Sequence, residues 1–205
     1  MSRDYQLTHE NLLLSAKKHF LENGYERANL RNICKDANVT NGAFYRHFKD
    51  KESLFGALVD PIVETVSDMY SESVSKHFEL IHENQLKEIW RLSEDTIISI
   101  IEYVYDNFHI FKLLLTCADG TKYVSFIDDV VCMEVKQTIR LMQQLKAQGC
   151  SVNDLEEDEW HILIHSYYSS LSEIVMHNYS KTAALKYAHT LADFFSYGWQ
   201  KILGI

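Results

Sequence analysis

The chain of 205 residues is poor in residues that break helices, with only 7 glycines and 1 proline. Sandwiches and barrels need turn residues roughly every 8–12 positions, so this shortage argues against them. With 24% charged and 12% aromatic residues, the composition also argues against disorder. We therefore expect an all-α fold.

Other absences limit the function. The cysteines at 34, 117, 132 and 150 form no Cys-x-x-Cys pair, so we expect buried, reduced thiols and no metal. The most apolar run, residues 96–105, is too short to span a bilayer, and the first ten residues lack an apolar signal core. We expect a cytoplasmic chain without a leader or a membrane contact. No nucleophile elbow, phosphate-binding glycine loop or dinucleotide fingerprint is present, so we expect neither an enzyme nor a cofactor.

Charge is distributed unevenly along the chain. Residues 1–53 hold nine Lys/Arg against seven Asp/Glu, a net charge of +2, whereas the remaining residues hold 11 against 22, a net charge of −11. An acidic protein is repelled by nucleic acid unless a local patch reverses the sign. The N-terminal segment permits such a patch, although random variation in charge explains the difference equally well.

The first fifty residues predict short helices with a capping or turn residue at each boundary. These boundary residues are Thr8, Gly24, Asn29, Asn38, Thr40 and Asp50. The third helix is predicted over residues 41–47, and Asn38 is expected in the left-handed conformation that a sharp turn requires. This layout is typical of a helix-turn-helix unit.

Longer helices are predicted over the rest of the chain, with no repeat among them. They cover residues 51–78, 85–107, 108–117, 122–148, 154–178 and 182–203. Pro61 is expected to kink or restart the first of these helices, because proline removes one backbone donor.

A set of small, aromatic and capping residues at fixed spacing lies within residues 9–58. Its members are Ala16, Phe20, Gly24, Tyr25, Ile33, Ala37, Val39, Thr40, Gly42, Phe44, Tyr45, His47, Phe48, Lys51, Glu52 and Leu54. In these positions the segment resembles the DNA-binding head of the TetR family of bacterial transcription regulators. The chain departs from the family pattern in having Asn38 where Gly is usual, Cys34 where Ala is usual, and Ala28-Asn29 in place of a Thr/Ser pair. All three changes are physically mild.

The resemblance implies a three-helix head, residues 1–53, on a larger helical ligand-binding and dimerisation body, residues 54–205. It also implies which head residues contact DNA. Backbone phosphates are assigned to Asn29, Thr40, Tyr45, His47 and Lys51, and base edges to Asn41, Gly42, Ala43 and Arg46. From their chemistry alone, Asn41 is suited to adenine, and Arg46 to guanine or to a phosphate.

The last two predicted helices are apolar on most faces, so each must bury two sides. The resemblance implies that they pair across a two-fold axis as a four-helix bundle in a homodimer. The residues expected at this dimer interface are Trp160, Ile164, Tyr168, Leu171, Leu191 and Phe195.

The resemblance also implies an effector pocket within residues 54–178. Aromatic residues and a methionine at helical spacing are candidates for its lining, although the same spacing is common in a hydrophobic core. They are Trp90, Tyr103, Phe111, Phe126, Met133 and Tyr167.

Glu157, His161 and His165 lie one helical turn apart, a spacing that could hold a metal ion. No further ligand is placed by the sequence, and we favour core or interfacial histidines over a metal site. Taken together, we expect a dimeric repressor that binds double-stranded operator DNA and is released by a small-molecule effector. The alternative is a helix-turn-helix adaptor controlled by a protein partner.

Overall fold

The computed structural model describes residues 3–82 and 85–204, except for the side chains of Leu86, Lys87 and Trp90. Trp90, one of the predicted pocket residues, therefore lies outside the described side chains. The described residues form helices and no strand, which confirms the all-α prediction. The helices are α1 (Arg3–Arg27), α2 (Leu30–Asp36), α3 (Asn41–Phe44), α4 (Lys51–His82), α5 (Leu86–Asp106), α6 (Phe108–Thr116), α7 (Phe126–Ala147), α8 (Glu157–Met176) and α9 (Lys181–Leu203).

The chain forms two compact units. The first contains the residues up to Thr65 together with Asn107–Ser125, and α1 packs there against α2 and α6. Its core is aromatic and aliphatic: Phe20 meets Phe55 edge to face with ring centroids 5.2 Å apart, and Leu12 and Ile33 are fully buried beside them. Burial of these side chains supplies the main stabilisation of so small a unit.

The second unit contains Val66–Asp106 and Phe126–Ile205. In it α7 packs on α8 and α5 packs on α9, and two apolar clusters draw residues from several of these helices. One cluster surrounds Val131 and Trp160, and the other surrounds Ile97 and Ile174. The predicted division at residue 53 stays a prediction, because compactness alone does not define a functional domain.

Most of the predicted boundaries in the head are confirmed. Gly24, at φ 72°, interrupts the helical backbone of α1, and Asn38, at φ 56°, is left-handed. The Asp50 carboxylate accepts the Ser53 amide at 2.7 Å and so caps α4. The prediction for Thr8 was wrong: α1 already begins at Arg3, and the Thr8 hydroxyl donates to the Asp4 carbonyl at 2.9 Å within the helix.

Two further expectations need correction. Pro61 does not restart the helix, because α4 continues through it. Proline has no backbone N–H to donate, and Pro61 lies on the exposed face of α4. The cysteines are all free, but Cys132 is exposed rather than buried, because it lies on the outer face of α7. No helix within the described ranges has the length and apolar content needed to cross a membrane.

Candidate nucleic-acid interface and body cavity

Helices α2 and α3 each begin with a side-chain N-cap. The side-chain oxygen Oδ1 of Asn29 accepts a hydrogen bond from the backbone amide of Arg31 at 2.9 Å. The hydroxyl oxygen of Thr40 accepts one from the backbone amide of Ala43 at 3.2 Å. Side-chain acceptors of this kind satisfy backbone donors that a helix start leaves unpaired. Phe44 and Phe48 are buried as predicted and fix α3 to the core of the first unit.

The opposite face of α3 is open to solvent. Asn41, Gly42, Tyr45 and Arg46 are exposed, and Tyr45 keeps 61% of its surface accessible. A Cβ atom added to Gly42 would meet nothing within 4 Å, so internal packing does not explain the glycine. This face therefore presents an amide, a guanidinium group and a phenol hydroxyl to solvent within two helical turns.

The predicted DNA-contacting residues thus fall into two groups. Exposed ones are Asn29, Thr40, Asn41, Gly42, Tyr45 and Arg46, whereas Ala43, His47 and Lys51 are half-buried. Within the first group, Asn41 and Gly42 lie on α3, Thr40, Tyr45 and Arg46 lie at its two ends, and Asn29 caps α2. The second group has internal contacts as well.

Lys51 is the clearest case of an internal role. Its ammonium group donates to the carbonyl oxygens of Tyr25 at 2.7 Å, Glu26 at 3.1 Å and Ala28 at 3.2 Å, and it lies 4.3 Å from the centroid of the Tyr25 ring. Burial lowers the pKa of Lys51, and the nearby Glu26 carboxylate partly offsets this. All three ammonium hydrogens are used, so Lys51 ties the start of α4 to the end of α1.

The His47 ring belongs to a small stack of aromatic rings in the head. Its ring lies 4.0 Å from the Tyr5 ring and 5.7 Å from the His9 ring, centroid to centroid. Its Nδ1 atom is buried without a hydrogen-bond partner. Burial, followed by the charges of His9 and Arg46, lowers the pKa of His47 below its ordinary 6.5. The stack therefore disfavours the protonated form of the imidazole.

Three residues of the head were not predicted as candidates for this surface. Lys49, after α3, and Arg31, in the first turn of α2, are exposed cations, and Tyr5 covers His47 while its hydroxyl donates to the Arg46 carbonyl at 3.3 Å. Both cations are visible in the sequence within the helix-turn-helix segment. Tyr5 was missed because the first helix was expected to begin after it.

The second unit encloses a cavity of about 360 Å³, within the range of small-molecule sites. Among the described residues, its walls carry aromatic rings from α8 and α9. These rings belong to Trp160, Tyr167, Tyr168, Phe195 and Trp199. Trp160 and Trp199 stack with their centroids 5.3 Å apart.

Only part of the predicted pocket lining is found at this cavity. Tyr167 lines it, whereas Tyr103, Phe126 and Met133 are not among its wall residues, and Phe111 is buried in the first unit. Helical spacing alone does not separate residues that face a cavity from residues that face the core beside it.

The cavity contains a carboxylate, Glu134 of α7. The hydroxyl groups of Tyr70, Tyr168 and Thr138 lie near this carboxylate and lower its pKa, but burial raises the pKa more strongly. The Tyr168 hydroxyl is 3.5 Å from Glu134 Oε2, and the Tyr70 hydroxyl also interacts with this carboxylate. Hydroxyl groups therefore surround Glu134, and no described cationic side chain pairs with it.

The predicted dimer residues face inward in this structure. Trp160, Ile164 and Leu171 are buried within the chain itself, Tyr168 and Phe195 line the cavity, and Leu191 packs against an internal cluster. Other apolar side chains of the same two helices are exposed instead: Ile162 at 64%, Phe194 at 70% and Tyr197 at 73%. The exposed apolar side chains of α8 and α9 are therefore not the ones predicted for the dimer interface.

The His161 and His165 rings lie 6.0 Å apart, and His165 Nε2 is 3.7 Å from an Asp128 oxygen. Within the described part of the chain, no group of three or more His, Cys, Asp or Glu side chains is arranged to hold a metal ion. We assign no function to His161 and His165.

An exposed, capped α3 after a sharp turn is the arrangement of a helix-turn-helix unit. Residues 12–58 match the family model "Bacterial regulatory proteins, tetR family". The resemblance found in the sequence is therefore confirmed over these residues.

Curated relatives match over the head and the region just after it. The Transposon Tn10 TetC protein of Escherichia coli is 32% identical over 87 residues, covering 37% of this chain and 44% of that protein. The HTH-type transcriptional repressor AcnR of Corynebacterium diphtheriae is 31% identical over 88 residues, covering 43% and 40%. The chain thus spans less than half the length of these relatives.

Solved structures match over nearly the whole chain. NalD of Pseudomonas aeruginosa, the secondary repressor of the MexAB-OprM multidrug efflux pump, has a TM-score of 0.58 at 18% identity and covers 98% of both chains. A TetR-family regulator from Pectobacterium atrosepticum has a TM-score of 0.51 at 21% identity, covering 99% of this chain and 98% of its own. At this identity the match shows a shared fold.

Proposed function

We propose that the chain is a dimeric transcription regulator that binds double-stranded operator DNA through α3 and acts as a repressor. The observation that carries this proposal is the exposed face of α3, within a segment that matches the TetR-family head. Asn41 and Arg46 are donors suited to base edges, and Tyr45, Lys49 and Arg31 are suited to phosphates. The head is the less acidic part of an acidic chain, which favours DNA contact there.

The repressor is a homodimer in this proposal. Ile162, Phe194 and Tyr197 supply the exposed apolar surface that a second copy covers. A two-fold dimer places two copies of α3 on one side of the DNA, so the operator is a near-palindrome with half-sites about one helical turn apart or slightly more.

A small-molecule effector occupies the body cavity and releases the operator. The size of the cavity and its mixture of aromatic walls with a few polar groups support this step. NalD and AcnR are both named repressors, which agrees with repression as the direction of control.

Selection of bound fragments from genomic DNA with the full-length protein tests the proposal. We expect enrichment of a few promoter fragments that share a near-palindrome, and loss of that enrichment in an Asn41→Ala, Arg46→Gln variant. A folded protein that enriches no fragment would contradict the regulator and favour the adaptor controlled by a protein partner.

A further inference from the structure

The charges around the body cavity are unbalanced. Its described walls include the carboxylates of Glu94, Glu134 and Asp193, against a single guanidinium from Arg91. Arg91 already pairs with Glu88, which is not a wall residue, at 2.8 Å. Of the three carboxylates, Glu94 pairs with His189 at 2.8 Å and Asp193 is exposed to solvent, whereas no described cation pairs with Glu134.

His77 does not supply the missing cation. Its Nδ1 atom lies 2.7 Å from the Ser73 carbonyl oxygen and its Nε2 atom 2.9 Å from the Ser93 hydroxyl. Burial lowers the pKa of His77, so the ring is neutral near pH 7. Both of its nitrogens have partners without any contact to Glu134.

Glu134 is the carboxylate in the least favourable position. Its neighbours are the hydroxyl groups of Tyr168, at 3.5 Å, and of Tyr70 and Thr138, none of which carries a positive charge. A buried carboxylate without a cation is costly, and a ligand that brings a positive charge recovers that cost.

The aromatic walls favour the same kind of ligand. Tyr167 and Phe195 meet edge to face with centroids 4.8 Å apart, and Trp160 stacks on Trp199. Aromatic faces attract organic cations, most strongly where water is excluded.

We propose that the cavity binds a monovalent organic cation with an aromatic or branched alkyl group, with Glu134 as its counter-ion and the tryptophan and tyrosine rings as its walls. This inference names the chemical class of the effector and rests on the proposed function for its regulatory meaning. Binding of the cation itself is measured without DNA.

Three probes of similar size and different charge test the inference. They are benzyltrimethylammonium, its neutral carbon isostere neopentylbenzene, and the anion phenylacetate. Trp160 and Trp199 lie in the cavity wall, so tryptophan fluorescence of the full-length protein reports occupancy. We expect the cation to bind at least about tenfold more tightly than the neutral isostere, and the anion more weakly than either.

The matched variants are Glu134→Gln and Glu102→Gln. Glu102 is an exposed carboxylate of α5 that is not a wall residue. We expect Glu134→Gln to lower the affinity for the cation about tenfold and to leave the neutral isostere unchanged, because only the charge has been removed. Glu102→Gln should match the wild type with all three probes.

Lower pH should weaken cation binding in the wild type, because protonation of Glu134 removes its charge. Other groups that line the cavity or lie near this carboxylate are Tyr70 and His77 on α4, Arg91 and Glu94 on α5, Tyr167 and Tyr168 on α8, and Asp193 on α9. Any pH dependence of cation affinity that these groups cause is also present in Glu134→Gln. The difference between the wild type and this variant therefore reports the effect of protonating Glu134.

Equal affinity for the cation and its isostere, tighter binding of the anion, an unchanged Glu134→Gln variant, or no binding of any probe would each overturn the inference. None of these results bears on operator binding. Conversely, charge-dependent binding in a protein that enriches no DNA would support the cation site while contradicting the proposed function.

Discussion

At the scale of single residues, the head contains polar side chains that look alike in sequence and differ in their surroundings. Lys49 and Lys51 are two positions apart, but Lys49 is exposed whereas Lys51 has all its donors on backbone carbonyls. Caps such as Thr40 and Asp50 could be predicted because they bond within three residues. The role of Lys51 could not, because its partners lie more than twenty residues earlier in the chain.

Lys51→Met should destabilise the protein by about 1.5–3 kcal/mol, since it removes charge-assisted hydrogen bonds and leaves three carbonyls unpaired. Lys49→Met, the matched control, should stay within about 0.5 kcal/mol of the wild type. Urea denaturation measures both. Equal stability of the two variants would show that the carbonyl contacts of Lys51 contribute nothing.

His47 should make the head sensitive to acid. Its pKa is lowered in the folded protein, so the unfolded chain binds the proton more readily. The contribution of the neutral ring to stability is complete above the ordinary pKa of 6.5 and is lost as pH falls below it. The urea midpoint should decrease when the pH is lowered from 7.5 to 5.5, and this decrease should be larger in the wild type than in His47→Gln. His109→Gln, which changes an exposed histidine, should behave as the wild type.

At the scale of elements, the helical pattern predicted most of the helices, and the ends that were missed depend on packing. The start of α1 at Arg3 depends on Tyr5, which finds its partner His47 only in the folded head. The residues of α8 and α9 that were predicted at a dimer interface lie on the inner faces of these helices. Both helices are apolar on most sides, so periodicity could not separate Phe195, at the cavity, from its exposed neighbour Phe194.

This difference predicts opposite results for neighbouring substitutions in α9. Phe194→Glu and Tyr197→Glu should yield folded monomers, because they place charge on the surface that a second copy covers. Phe195→Asp should unfold the second unit instead, because it places an unpaired charge at an internal position. Sedimentation velocity and circular dichroism distinguish the outcomes, with the exposed Thr182→Glu as control. A native dimer in both surface variants would place the interface elsewhere.

At the scale of the whole molecule, α4 contributes residues to both compact units, Lys51–Thr65 to the first and Val66–His82 to the second. It starts beside the DNA-binding surface, and its second part supplies His77 to the cavity wall. One helix therefore carries residues next to both proposed sites.

Effector and operator should weaken each other by the same factor, about 5–150-fold, because coupling between two binding sites is reciprocal. Operator titrations with and without a saturating cavity ligand, and ligand titrations with and without operator, give the two factors. Pro61→Ala should alter the coupling more than the operator affinity, since Pro61 lies in α4 away from both surfaces. Saturating ligand that leaves operator affinity unchanged would contradict the effector role.

The central claim is that the surface around α3 binds DNA, and the salt dependence of operator affinity tests it most directly. The variant Arg31→Gln, Lys49→Gln removes the two exposed cations proposed to contact phosphates, and Arg140→Gln, Lys186→Gln removes two exposed cations of the body as a matched control. We predict that the head variant binds the selected fragment more weakly and that its log–log salt slope falls by about two, because each lost phosphate contact lowers the slope by roughly one. The body variant should keep the wild-type slope. Equal slopes for the wild type and the head variant would contradict the account.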